Sequence, residues 1–351
     1  YDVLVVEGKS EKPCYLLIEN EGVKVVDASE LWGKNTFEAQ DILEKKHGRN
    51  SGILLIGPAG ENLIHFSVVM SQKGRAGGRP GLGAVMGSKN LKAVVIKGTG
   101  TIPSFDHEKV KALGKKGYED IKGKENYDFW IGQGTMQAFD WCNENACLPA
   151  YNFREGAFEY SRELDGDVVK RIKVDRKGCP LCNMQCGNII NDSSNTPSEL
   201  DYENVGMLGP NIGMKELREV ALLNRMADEW GLDTISLGSC IGFLMESSEK
   251  GLIPEKIGWG DFESVQKLIT DIGKGEGLGK LVSHGVRIAA ETIGKESHRW
   301  AMHVKGLEIS AYNCHACPGM ALSFGTSPIG ASHKDAWIIA WEISTNRLSY
   351  S

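Results

Sequence analysis

Short apolar runs bounded by Gly, Asn or Lys dominate the first hundred residues. Val3–Val6, Tyr15–Ile18, Val23–Val26, Ile53–Ile56, Phe66–Met70 and Leu91–Ile96 have the length and the boundaries of strands. The run Glu19-Asn20-Glu21-Gly22 is placed to be the turn of a hairpin, and a single helix is predicted at about Thr36 to Lys46. Around Gly98–Pro103 the pattern changes. Apolar residues then recur at helical spacing over 108–121, 215–230, 234–249, 261–273 and 277–293. Leu217, Val220 and Ala221 share one helix face, which Leu222, Leu223 and Met226 widen into a broad buried surface. Asp261 is a natural N-cap for the fourth of these helices, and Gly251 closes the third. The expected class is α+β, with a β-rich domain over 1–101, a mostly helical domain over 102–305 and the start of a second helical domain over 306–351.

Composition narrows the function. The chain has 351 residues, 41% hydrophobic and 25% charged, ordinary values for a globular protein with a sizeable core. A formal net charge of −6 argues against a nucleic-acid or anionic-membrane surface, since both select basic patches. No apolar run approaches the roughly 18 residues of a membrane span. The chain opens at Tyr1-Asp-Val-Leu-Val-Val-Glu-Gly8, without Met or a signal pattern, and ends at Asn346-Arg-Leu-Ser-Tyr-Ser351 without a helix stop. It reads as a piece of a larger protein. Nine cysteines, clustered and without an export signal, favour metal or redox chemistry in the cytoplasm over structural disulfides.

Four motifs bear on chemistry. Gly178-Cys-Pro-Leu-Cys-Asn-Met-Gln-Cys186 is a CxxCxxxC cluster, in which Cys179, Cys182 and Cys186 suit one face of an iron–sulfur cube. The order is the reverse of the radical-SAM motif; a zinc site and buried thiols without metal remain alternatives. The stretch from Lys73 to Lys92 places six glycines in about fifteen residues beside Arg75 and Arg79. Glycines permit close backbone approach, and exposed N–H groups with guanidinium forks suit phosphate. The alternative is a tight turn between strands. Asp228-Glu-Trp-Gly-Leu-Asp-Thr234 marks a helix junction, where Asp233 is either a cap or, with Asp228, a carboxylate pair for the amino edge of a planar heterocycle. Leu200-Asp-Tyr-Glu-Asn-Val-Gly206 carries Glu203 in an acidic group that is by itself only a solvated surface.

In this order, the four motifs resemble the tungsten-containing aldehyde:ferredoxin oxidoreductase family. Ala76-Gly-Gly-Arg-Pro-Gly-Leu-Gly-Ala-Val-Met-Gly-Ser-Lys-Asn-Leu-Lys-Ala93 looks like its signature loop, Asp228–Thr234 like its DxxGL[CD] pterin motif, and the CxxCxxxC like the first three of its four cluster ligands. Further similarity runs through Gly134-Thr135, Leu148–Phe153, Gly277–Val286 and Val304–Ile309 to the region near Trp337. The resemblance implies a tungsten (or molybdenum) bis-pyranopterin, a [4Fe–4S] cluster on Cys179, Cys182 and Cys186, and a Mg²⁺ bridging the pterin phosphates. It implies Arg75, Ala76, Gly77 and Gly78 at the phosphates, with Ala76 offering its carbonyl to the Mg²⁺. It places Asp228, Gly231, Leu232 and Asp233 at one pterin. Glu203 matches the family's active-site glutamate, a proton shuttle if burial raises its pKa. The implied reaction is two-electron oxidation of an aldehyde to a carboxylic acid, or the reverse. Its electrons pass to ferredoxin or an iron–sulfur subunit, in an anaerobic homo- or hetero-oligomer. The cofactor carries the hard chemistry, and the protein supplies position and field. A second pterin motif and a fourth cluster cysteine do not occur in this chain.

Tyr312-Asn-Cys-His-Ala-Cys-Pro-Gly-Met320 departs from that pattern. Aldehyde enzymes resemble Tyr-Asp-Pro-Arg-Gly here, without cysteine, whereas the family's benzoyl-CoA reductase branch has a cysteine on its metal. Cys314, Cys317 and, on the helix after the pterin motif, Cys240 are therefore candidates for a tungsten ligand, against the alternative that all three are packed as small hydrophobes. An aryl-CoA substrate and a non-catalytic electron-transfer or scaffold homologue are the alternatives to aldehyde chemistry.

Overall fold

The computed structural model describes residues 3–20, 22–79 and 81–345. The chain divides into two compact units, Tyr1–Gly100 with Met226–Asp233 and Leu268–His284, and Thr101–Arg225 with Thr234–Lys267 and Gly285–Ser351.

In the first unit, β1 (Cys14–Glu19), β2 (Gly22–Asp27), β3 (Gly52–Ile56), β4 (Val69–Ser71), β5 (Arg75–Gly77) and β6 (Leu91–Lys97) form one sheet in the order β2-β1-β6-β3-β4-β5. Only β1 and β6 run parallel; every other neighbouring pair is antiparallel. The two-residue period of a strand sorts its side chains between faces. Tyr15, Leu17, Ile53, Leu55, Ala93 and Val95 pack against Ala39 and Leu43 of α1 (Thr36–His47), whereas Cys14, Leu16, Ile18, Leu91 and Val94 form a second cluster on alternate positions. Asn35 and Glu38 close a capping box at the start of α1, and Lys45, Lys46 and His47 sit in its last turn, where cations suit the helix dipole.

Several expectations need correction. Val3–Val6 forms no strand; Val3 and Val5 are both 76% exposed, so neither gains from burial. The run at Phe66–Met70 becomes a strand only from Val69. The predicted single helix is joined by α2 (Pro58–Glu61) and α3 (Leu82–Ser88). The β1–β2 hairpin is present, although Glu21 of its turn lies outside the described residues, as does the terminal run Asn346–Ser351.

Helices dominate the second unit, beginning with α4 (His107–Lys122), α5 (Tyr127–Gln133), α6 (Ala138–Glu144), α7 (Gly166–Ile172) and α8 (Tyr202–Leu208). Further along are α9 (Leu217–Trp230), α10 (Thr234–Glu249), α11 (Phe262–Lys274), α12 (Gly277–Val282), α13 (Val286–Ile293), α14 (Pro318–Thr326) and α15 (Ile339–Ser344). By the division above, the ends of α9 and α11 and all of α12 count with the first unit. The buried face Leu217, Val220 and Ala221 is as expected, and Asp261 accepts from the Ser264 N–H at 3.2 Å at the start of α11. The helix predicted over 277–293 is broken, because Gly285 adopts φ +84°, a left-handed conformation outside any helix. A three-stranded antiparallel sheet, β7 (Lys173–Lys177), β8 (Gly187–Asn191) and β9 (Pro197–Leu200), was not anticipated inside the helical stretch. Its strands are short and half polar, which hides them from a search for apolar runs. No helix among the described residues is long and apolar enough to cross a membrane.

Candidate active site

In the first unit, the glycine-rich stretch is a strand, a turn and a short helix. Residues 75–77 pair with β4 through Val69↔Gly77 and Ser71↔Arg75, which leaves Ala76 and Gly77 exposed. Three of the glycines serve backbone packing. A Cβ on Gly81 would stand 2.1 Å from the His65 carbonyl oxygen, and one on Gly87 would stand 1.9 Å from that of Gly60. Gly83 meets the Ser67–Val68 backbone in the same way. The phosphate-type surface expected here is therefore confined to the beginning of the stretch, from Arg75 to Arg79.

The turn after α9 joins it there. Gly231 takes φ +74° and ends the helix. Its carbonyl accepts from the Val68 N–H at 2.8 Å, and the Asp233 N–H donates to the Phe66 carbonyl at 2.9 Å, with a bridge between Ser67 and Leu232. This pairing lies on the segment that enters β4, the strand that pairs with Arg75–Gly77. Arg79 Nε donates to Asp233 Oδ2 at 2.7 Å, with side chains only 15% and 10% exposed. The Asp228 carbonyl accepts from the Thr36 hydroxyl at 2.7 Å. The Arg79–Asp233 pair thus lies at the end of a strand that carries Arg75 and the exposed residues Ala76 and Gly77, and Asp228 lies five residues before Asp233. That donor set fits a phosphate-bearing heterocycle with amino groups.

In the second unit, Gly178–Cys186 is the loop of the β7–β8 hairpin, closed where Lys177 pairs with Gly187. The Cys182 N–H turns back to the Cys179 carbonyl at 3.1 Å, and Leu181 between them has φ +62° and is fully exposed. Asn183 anchors the loop: its amide donates to the Tyr118 carbonyl at 2.8 Å, and its carbonyl accepts from the Tyr127 hydroxyl at 2.9 Å. Cys179 and Cys182 are exposed and Cys186 is half-buried. Among the described residues no three His, Cys, Asp or Glu side chains are gathered to hold a metal ion. The loop therefore brings its thiols onto one hairpin without drawing them into a finished site. Soft, accessible sulfur donors on one closed loop still fit an iron–sulfur cluster.

Glu203 lies at the start of α8, whose N-cap Asp201 forms a capping box with Asn204. Its carboxylate does not face bulk water. Oε2 accepts from the Ala311 N–H at 2.9 Å, and Oε1 stands 3.3 Å from His333 Nδ1, with side chains 15% and 13% exposed. His333 Nδ1 is also 3.0 Å from the buried Ser310 hydroxyl. Tyr202 stacks on Tyr312 with ring centroids 5.1 Å apart and donates its hydroxyl to the Ala311 carbonyl at 2.6 Å. The Trp337 indole donates to the Tyr312 hydroxyl at 3.2 Å. Burial, more than any other influence, pushes both phenols well above their usual pKa, so they act as neutral walls.

Family models match nearly the whole chain: the N-terminal domain of aldehyde ferredoxin oxidoreductase over residues 1–98, and its domains 2 and 3 over 112–351. The chain belongs to the aldehyde ferredoxin oxidoreductase family. It is 36% identical over 354 residues to a tungsten-containing aldehyde ferredoxin oxidoreductase of Pyrococcus furiosus, covering 98% of this chain and 58% of the relative. It is 34% identical to the protein of that name from Thermococcus kodakarensis, with the same coverage. An aliphatic sulfonate oxidoreductase, WOR-like subunit, of P. furiosus is 31% identical, covering 89% of this chain and 54% of the relative. Among solved structures, the active site complex BamBC of benzoyl coenzyme A reductase, in complex with 1,5-dienoyl-CoA, superposes with a TM-score of 0.73 at 26% identity. That match covers 87% of this chain and 49% of the solved chain. The chain thus spans about half the length of these family members.

Within this chain, the three extra cysteine candidates separate. Cys240 is wholly buried in α10. Cys317 is wholly buried, with its sulfur 2.7 Å from that of Cys147. Cys314 is partly exposed on the loop that carries Ala311 and Tyr312, and burial pushes its thiol up to about 11. His333, Ser310 and Cys147 went unnoticed in the sequence. His333 lies 130 residues from Glu203 in a stretch without periodicity, and nothing in the spacing joins them.

Proposed function

We propose that this chain forms part of a tungsten-pterin oxidoreductase that interconverts an aldehyde and a carboxylic acid. The observation that carries the reading is the Glu203 carboxylate held between the Ala311 N–H and His333 Nδ1. The net reaction is RCHO + H₂O → RCOOH + 2 H⁺ + 2 e⁻. When bound, the metal–pterin group supplies the two-electron redox chemistry, and a [4Fe–4S] cluster supplies a one-electron outlet.

Arg75, Arg79 and the backbone of Ala76, Gly77 and Gly78 would hold the phosphates with their Mg²⁺; Asp228 and Asp233 beside Gly231 and Leu232 would hold a pterin. Cys179, Cys182 and Cys186 would hold the cluster, from which electrons pass to ferredoxin or an iron–sulfur partner subunit. Glu203 accepts a proton from water as its oxygen adds to the carbonyl carbon. The Ala311 N–H orients one carboxylate oxygen, and His333 stands at the other to pass the proton on. Such general-base help contributes about 100-fold or more to a rate.

A specific observation favours a second reading. Cys314 offers a partly exposed thiol on the same loop as Ala311, and the solved relative acts as a benzoyl-CoA reductase active-site complex. A thiolate on the metal would suit low-potential reduction of an aryl thioester.

Metal analysis of the complete protein together with Glu203→Gln tests the proposal. Tungsten with iron is expected in both proteins, and turnover of short aldehydes should fall about 100-fold or more in the variant. Iron without tungsten would support a non-catalytic homologue. Unchanged turnover and pH profile in the variant would reduce Glu203 to a bystander.

A further inference from the structure

The loop whose Ala311 N–H meets Glu203 ends at a buried pair of cysteines. Cys147 follows α6 and Cys317 immediately precedes α14, 170 positions later, yet their sulfurs lie 2.7 Å apart. Non-bonded sulfur atoms rest roughly 3.6 Å apart, whereas a disulfide bond measures about 2.05 Å. The two sulfurs are thus well inside ordinary contact and need only a small side-chain shift to bond. Both cysteines are 0% exposed, and the backbones are clamped close by, since the Asn313 N–H donates to the Cys147 carbonyl at 2.7 Å. The Cys147 N–H in turn donates to the Cys142 carbonyl at 2.7 Å. The sulfurs are already adjacent, and the one movement oxidation requires is a local opening that admits the oxidant to one of them.

We propose that Cys147 and Cys317 are a redox pair that closes to a disulfide and locks the 310–317 loop against the end of α6. The oxidant is a disulfide, either a low-molecular-weight one or that of a dithiol oxidoreductase. The balance is Cys147–SH + Cys317–SH + X–S–S–X → Cys147–S–S–Cys317 + 2 X–SH. Two S–H bonds and the X–S–S–X bond break and one sulfur–sulfur bond forms. The two electrons and two protons leave on the released thiols. The segment so locked carries Ala311, whose N–H binds Glu203, and Tyr312, which stacks on Tyr202. Oxidation therefore fixes the loop that positions the Glu203 carboxylate, and reduction loosens it. The disulfide itself does not depend on the oxidoreductase reading, because it is detected chemically without turnover.

The complete protein is incubated anaerobically with oxidised glutathione, quenched in acid, alkylated and digested. The expected result is a cross-linked peptide pair containing Cys147 and Cys317, lighter by two hydrogens and released by dithiothreitol. The oxidised protein should also melt several degrees above the reduced protein. Cys147→Ser and Cys317→Ser should each remove the cross-link and the shift. Because the mapping uses the native protein, a variant that fails to fold does not decide the matter. Three outcomes overturn the proposal: full alkylation of both cysteines after oxidation, cross-links to Cys142 or Cys314 instead, and thiols protected without loss of hydrogen but freed by a chelator. The last would mean that the pair holds a metal.

Discussion

Arg79 Nε lies 2.7 Å from Asp233 Oδ2, and this contact joins the glycine-rich stretch to a turn 154 residues downstream. Both side chains are largely buried, at 15% and 10% exposed, so the pair sits where an uncompensated charge is costly. Asp233→Asn keeps the shape and removes the charge. Breaking a largely buried pair on one side costs ~3 kcal/mol. The variant should melt lower and should also lose pterin and tungsten if this edge holds the cofactor. A variant that melts lower but retains full metal content would leave the pair a purely structural brace.

Cys182→Ala should remove the iron–sulfur cluster. The hairpin loop offers Cys179 and Cys186 as its only other thiols, and two do not clasp a face of the cube. Anaerobic iron counting and low-temperature EPR on the complete protein check this, and an undiminished reduced-cluster signal would end the assignment.

Asp192 gives a pH prediction. Burial opposes its ionisation, but hydrogen bonds from the Thr196 backbone, Arg225, Ser194 and Ser198 outweigh that cost and draw its carboxyl down to about 2. Arg225 Nε donates at 2.8 Å and the Ser198 hydroxyl at 2.9 Å. The folded pKa is below the unfolded value of about 3.9, so the stabilisation is fully present above pH 4 and is lost as pH falls toward 2. Asp192→Asn should lower the melting temperature at neutral pH and flatten its decline in acid. Parallel acid limbs in the two proteins would contradict the sign.

The cysteine candidates make different predictions for tungsten X-ray absorption. Two pterin dithiolenes would give four sulfur neighbours, and a cysteine ligand would make five. The exposure pattern points to Cys314, so Cys314→Ser should return five to four, while Cys240→Ser leaves the count unchanged. If the native protein shows only four sulfurs and oxidises short aldehydes readily, Cys314 is a packing residue and the aryl-thioester reading falls.

Local sequence carried most of the elements that have a periodic apolar face. Helix α9 is legible because burial of a face imposes a spacing, strands β1 and β6 because burial on both faces makes an unbroken apolar run, and the cysteine motif because its members lie within one short loop. The three-stranded sheet under the cysteine loop was not, since its strands are held by backbone pairing and polar turns such as that of Asp192. The break at Gly285 escaped because a left-handed glycine does not interrupt the apolar count. For the candidate site, sequence determined which residues have the right chemistry: Arg75, Arg79, Asp228, Asp233, Glu203 and the cysteines. Only tertiary structure decided which of them meet. The Arg79–Asp233 pair, the Glu203–His333 pair and the Cys147–Cys317 contact join segments more than a hundred residues apart. Chain-distant contacts of this kind leave no period in the sequence, because their geometry is set by how separate elements pack and not by the repeat of any one of them.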